Sequence, residues 1–202
     1  MEWNENECCF TGTVGSDPAF SHENHGEDYF RFPLRVERLS GAEDILPVLV
    51  SRTQLESCGV HAGERLSVAG EVRSFNNRSG TGSRLVLSIF ARALSAETAP
   101  DCNQVRLTGT LCKTPTYRRT PLGREICDLT LAVNRRYGRA DYLPAISWGT
   151  VARYCARLDV GDAVRLEGRF QSRNYRKLVD GEAVQRTAYE VSIMRLEQIS
   201  GE

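Results

Sequence analysis

The sequence predicts an all-β protein built as two tandem five-stranded Greek-key barrels, each with a short helix between its third and fourth strands. Three observations predict it. The chain repeats itself once, apolar residues alternate at strand spacing in both copies, and one helix-forming stretch per copy follows the third strand. Phe32-Pro33-Leu34-Arg35-Val36 and Leu129-Thr130-Leu131-Ala132-Val133 stand 97 positions apart. The same offset pairs Thr11-Gly12-Thr13 with Thr108-Gly109-Thr110 and Leu46-Pro47 with Leu143-Pro144; at Gly70 and Gly168 it has become 98. Solenoid repeats have periods of roughly 20–50 residues, so a unit of about a hundred is a duplicated domain.

The second copy carries the clearer pattern. Val105, Leu107, Gly109 and Leu111 alternate with polar residues as a first strand. Thr114–Gly123, with Pro115, Pro121 and Gly123, reads as a loop. Cys127, Leu129, Leu131 and Val133 form strand two, and Tyr142–Trp148 strand three. Val151–Leu158 has helix-forming composition, with Thr150 as N-cap and Gly161 beyond its end. Val164, Leu166, Gly168 and Phe170 alternate as strand four, Arg176–Arg186 reads as a hairpin loop around Asp180-Gly181, and Tyr189, Val191 and Ile193 form strand five.

The first copy repeats this order, with strands near 7–14, 29–38, 45–51, 64–74 and 84–94 and a helix near 52–58. The order β-β-β-α-β-β is that of the OB-fold, a small Greek-key barrel that binds oligonucleotides and oligosaccharides. The expected domains are 1–95 and 102–202, joined by a linker over 96–101. A linker that short keeps the two domains close.

Net charge is zero but unevenly placed. Residues 1–100 hold nine basic against fourteen acidic residues, and 101–202 hold seventeen against twelve. Such asymmetry suggests that one half meets a polyanion. Only Lys113 and Lys177 are lysine; arginine suits bidentate phosphate contacts and stacking. The seven cysteines form no CxxC pair, and no histidine has metal-ligand spacing to a cysteine, so neither metal nor cofactor is expected. His22 and His25 read as part of a solvated loop. No apolar run is long enough to span a membrane, and residues 1–30 carry acids rather than a leader pattern, which points to a reducing cytoplasm. No Ser/His/Asp or metal constellation suggests an enzyme.

The candidate binding residues follow from strand alternation. Tyr142, Pro144, Ile146 and Trp148 share one face of strand three. On strand four Arg169, Arg173 and Tyr175 point outward. Aromatics offer every base a stacking surface while nearby cations meet phosphates. Tyr137, Tyr142, Trp148 and Tyr175 stand where the first copy has Ser40, Ile45, Ser51 and Asn77. Arg118, Arg119 and Arg124 flank the first loop, Arg135, Arg136 and Arg139 the second, and Arg176 follows Tyr175; with the positive balance they make a phosphate path.

On these residues the resemblance is specific. Asn103–Gly109, Asp128–Val133, Ala145–Gly149 and Leu158–Arg169 resemble the DNA-binding domain of the bacterial single-stranded DNA-binding protein family. That family stacks bases on three tryptophans and a phenylalanine. Carried over, these fall on Tyr137, Tyr142, Tyr175 and, for the phenylalanine, Trp148. The family's acidic-hydrophobic tip has no counterpart here. Glu71 stands where the second copy has Arg169, and Ile45, Pro47 and Leu49 read as a protein interface, so the first copy is expected to be a degenerate OB domain serving as scaffold and partner surface. The resemblance implies a sequence-tolerant binder of single-stranded DNA in replication, recombination or repair. The alternative is an OB-fold adaptor of the primosomal kind, contacting replication or repair proteins with modest DNA affinity. Two tandem chains would supply the family's four barrels as a homodimer; a monomer with its domains packed as a pseudo-dimer is the other arrangement. RNA stays open as a ligand, because stacking does not distinguish sugars.

Overall fold

The computed structural model describes residues 5–77, 84–135, 138–179 and 182–199. Its first half holds β1 (Asn6–Val14), β2 (Ala19–Asn24), β3 (Glu27–Glu37), β4 (Glu43–Ser51), α1 (Arg52–Cys58), β5 (Arg65–Asn76) and β6 (Leu85–Ala96). The second repeats the order with β7 (Cys102–Leu111), β8 (Thr116–Arg119), β9 (Glu125–Asn134), β10 (Ala140–Trp148), α2 (Gly149–Cys155), β11 (Ala163–Val179) and β12 (Glu182–Gln198). Each half is an OB-fold. β3 returns to pair β1, and β9 returns to pair β7, closing the barrels. Closure needs tight strand crossings. A Cβ on Gly109 would run into the carbonyl oxygen of Ala132, and one on Gly168 into that of Ser192; Gly12 and Gly70 hold the equivalent crossings in the first barrel.

Four parts of the chain depart from the sequence reading. Thr114–Gly123 is not all loop, because β8 pairs with β9 there, and His22 belongs to β2, paired with β3. The stretch read as a hairpin loop over 176–186 is largely strand, since β11 and β12 pair out to Val179 and Glu182. Helix α2 begins at Gly149, so Thr150 is not its N-cap; Thr150 Oγ1 accepts from Arg153 instead.

The two barrels share one sheet. Its order, β2-β3-β4-β6-β5-β1-β7-β11-β12-β10-β9-β8, reads the same from either end once equivalent strands are matched. The midpoint is the antiparallel pair β1–β7, where Cys8 stands opposite Val105, its own repeat equivalent. This is pseudo-dimeric packing within one chain. The apolar cores join across the seam, where buried Phe10 and Phe170 place their ring centroids 6.4 Å apart.

Paired hydrogen bonds frame the seam. Buried Asp44 binds Arg38 and accepts the Ser172 N–H at 2.7 Å; its equivalent Asp141 binds Arg135 and accepts the Ser74 N–H at 2.5 Å. Ile45 N–H donates to Ser172 Oγ, and Tyr142 N–H to Ser74 Oγ. Each β-hairpin thus reaches the other barrel's fourth or tenth strand. Of the apolar face expected as an outside interface, Leu49 is buried, while Ile45 stays exposed and lines an open cleft with Pro47 and with Tyr189 of the second half.

Candidate nucleic-acid interface

Alternation along β10 sets the geometry. Leu143, Ala145 and Ser147 are buried, whereas Tyr142 and Trp148 face outward, 50% and 43% exposed. They stand six positions apart, roughly 20 Å along a strand. Strand register widens this surface. β9 sets Ala132 beside Tyr142, Asp128 beside Ile146 and Ile126 beside Trp148, and β8 adds Arg118 beside Ile126. On the other side β12 sets Ser192 beside Ile146, and β11 sets Arg169 beside Ser192. One outer face therefore runs from Arg118 past Trp148 and Ile146 to Arg169. Ile146 itself is buried in this row. The β11–β12 hairpin extends the face with Arg173 opposite Ala188 and Tyr175 opposite Arg186. Tyr175 is 36% exposed, with the Arg173 guanidinium 5.9 Å from its ring centroid.

Trp148 occupies the N-cap of α2 without a side-chain cap bond. Its counterpart Ser51 caps α1 in a reciprocal box with Gln54. A cap contributes about 1 kcal/mol, and the second barrel has an exposed indole in its place.

The arginines divide. Arg118 donates to Asp128 at 2.8 Å, which raises its pKa, and stays half exposed on the face. Arg119 does not share that face. Because β8 is a strand, adjacent residues take opposite sides, and Arg119 turns to Glu125 together with Tyr117 and Arg153. Arg135 is turned toward the seam. Its guanidinium is held by buried Asp141 and by the Ser74 carbonyl at 2.8 Å. Arg169 is half-buried and borders a groove of about 470 Å³ that also takes in Arg38, Arg106 and Arg195. Arg124 is exposed in the β8–β9 turn, as is Arg139 before β10. Arg176 is exposed, on the opposite side of the hairpin from Arg173 and Tyr175 by alternation. Tyr137 and Arg136 lie outside the described residues.

Two features escaped the sequence reading. The face carries carboxylates among its arginines. Asp128 binds Arg118, and Glu190 lies 3.8 Å from Arg173. Burial pushes the Glu190 carboxyl above its ordinary range, with Arg173 pulling the other way. Their strand parity was the available signal. The first barrel, moreover, has aromatics on its own equivalent face, at other positions. His22 stacks on Tyr29 at 5.2 Å, Tyr29 meets Phe90 at 5.8 Å, and Arg92 lies over Phe90 at 4.8 Å. Glu71 binds both Arg73 and Arg92. These groups satisfy one another, whereas Tyr142 and Trp148 make no such ring contact among the described residues.

Fold and site together define a tandem OB-fold protein with outward aromatics and arginines on its second barrel. The single-strand binding protein family model matches residues 102–199. Single-stranded DNA-binding protein B of Bacillus subtilis is 37% identical over 83 residues, covering 36% of this chain and 71% of that protein. Single-stranded DNA-binding protein 2 of Listeria innocua is 38% identical over 80 residues, covering 36% of this chain and 50% of the relative. The chain belongs to the single-strand binding protein family. It spans about half the length of most of the curated relatives it matches. The crystal structure of the wild-type single-stranded DNA binding protein from Thermus aquaticus superposes with a TM-score of 0.81 at 22% identity, covering 98% of this chain and 95% of that one. That likeness extends the fold assignment to both barrels.

Proposed function

We propose that the second barrel binds single-stranded DNA with little sequence preference, serving replication, recombination or repair. Bases stack on Tyr142, Trp148 and Tyr175. Phosphates meet Arg118, Arg124, Arg169 and Arg173. The observation that carries this reading is the pair Tyr142 and Trp148, large rings left open on one strand face at a spacing that suits a few nucleotides. Open rings at that spacing offer stacking surfaces to a partner with planar groups. Family membership and the basic second half support a polyanion as that partner. The first barrel, whose His22, Tyr29, Phe90 and Arg92 are engaged with one another, acts mainly as scaffold.

The test is the anisotropy of labelled oligo-dT with wild type and with Trp148→Ala/Tyr175→Ala. Each stacked base contributes about 1–3 kcal/mol, so the double variant is expected to bind at least tenfold more weakly. Unchanged affinity in the double variant would refute the assignment.

A further inference from the structure

At its Tyr142 end the second barrel's face meets the first barrel. The β5–β6 hairpin crosses the seam there. Ser74 N–H donates to Asp141 Oδ1 at 2.5 Å, and Tyr142 N–H donates to Ser74 Oγ at 2.8 Å. The next residue is Phe75, which is 40% exposed. The Arg135 guanidinium lies 5.6 Å from its ring centroid. That guanidinium cannot swing away easily, because Asp141 and the Ser74 carbonyl hold it. The Phe75 ring thus has a fixed cation on one side and remains 40% exposed.

The repeat gives a second line of argument. Position 75 is equivalent to Arg173, whose guanidinium lies over Tyr175. Each hairpin therefore carries a ring–guanidinium pair at this register, apart from the contacts of Arg73 and Arg92 with Phe90 lower in the first hairpin. In the second barrel both members come from β11. In the first, the ring is Phe75 and the cation is supplied across the seam by Arg135. Core packing does not explain the ring: Phe75 points away from the core, and its cross-strand neighbour Val86 is exposed as well.

We propose that Phe75 is a base-stacking residue supplied by the first barrel, which carries the single strand held at Tyr142 across the seam. The ligand is a base of that same strand, of any identity, since stacking needs only a π-face. The inference rests on single-strand binding by the second barrel. It makes the interface a composite of both barrels, and it gives the Asp141–Arg135 pair a part in presenting the ring.

The experiment uses the full chain and oligo-dT, with Phe75→Ala, Phe75→Leu and Trp148→Ala compared with wild type. Phe75→Leu keeps apolar contact with Arg135 but removes the π-face, so it separates stacking from bracing of the seam. Both Phe75 variants are expected to weaken binding about tenfold, the loss of one stacked base. Phe75→Trp in a Trp148→Phe background is expected to show fluorescence quenching on adding oligo-dT beyond that of Trp148→Phe alone. If Phe75→Leu binds like wild type and Phe75→Trp adds no quenching, while Trp148→Ala still weakens binding, the role of Phe75 is overturned and the second-barrel site stands. If Trp148→Ala also leaves binding unchanged, the underlying reading falls with it.

Discussion

The Asp141 carboxylate, fully buried in the second barrel, accepts the backbone N–H of Ser74 from the first barrel at 2.5 Å. Arg135 and Arg73 both bind the same carboxylate, one from each half. A charge so placed couples the two barrels through a single side chain.

Asp141→Ala is therefore expected to cost about 3–5 kcal/mol, as removal of one partner from a buried ion pair does. Two guanidiniums and an amide each lose one acceptor at once. Asp128→Ala removes the partner of Arg118 on the open face and should cost less than about 1 kcal/mol. Urea unfolding of the two variants measures the difference. Equal, small losses would show that the seam does not depend on Asp141.

Glu190 yields a prediction with a defined sign. Burial raises its pKa in the folded protein, so folding favours the protonated form. Its contribution is most favourable below the ordinary carboxylate range and is lost as pH rises through the raised value. The groups around it are Arg173, Arg118, Arg38 and Asp128. Glu190→Gln should be more stable than wild type at neutral pH, and the gap should close on acidification. The same variant should bind oligo-dT more tightly at pH 7, since one negative charge leaves the phosphate path. Thermal melts and anisotropy across pH 4–8 check both parts. A variant less stable than wild type at neutral pH would show that the Arg173 pair outweighs burial.

Gly168→Ala tests barrel closure. The added methyl would meet the Ser192 carbonyl, part of the backbone of β12, which cannot turn aside as a flexible side chain could. Overpacking of this kind costs about 1–3 kcal/mol. Gly161→Ala has open space around its Cβ but a φ of 99°, so its cost is conformational instead. Melting temperatures should fall in both, while only Gly168→Ala should disturb the adjacent Arg169 and hence oligo-dT affinity.

How far the sequence revealed this molecule depended on burial. Strands with one buried side announced themselves: Leu129, Leu131 and Val133 alternate because their neighbours face outward, and Tyr142 and Trp148 stand out against Leu143, Ala145 and Ser147 for the same reason. β8 is exposed along its whole length and β2 nearly so, leaving no apolar periodicity to read. Missing β8 then misplaced Arg119, because a loop has no alternation. Arg135 was legible as a charge but not as a seam contact, since its partners Asp141 and Ser74 meet it only through the tertiary fold. The aromatic contacts of His22, Tyr29 and Phe90 likewise join β2, β3 and β6, which sequence spacing does not bring together.

The most direct test of stacking on the second barrel is a titration of intrinsic tryptophan fluorescence with oligo-dT at two salt concentrations. Wild type should show strong quenching that Trp148→Phe largely abolishes. Its affinity should fall steeply with salt as counterions are released from the phosphates. Binding without quenching at Trp148, or affinity indifferent to salt, would contradict the account.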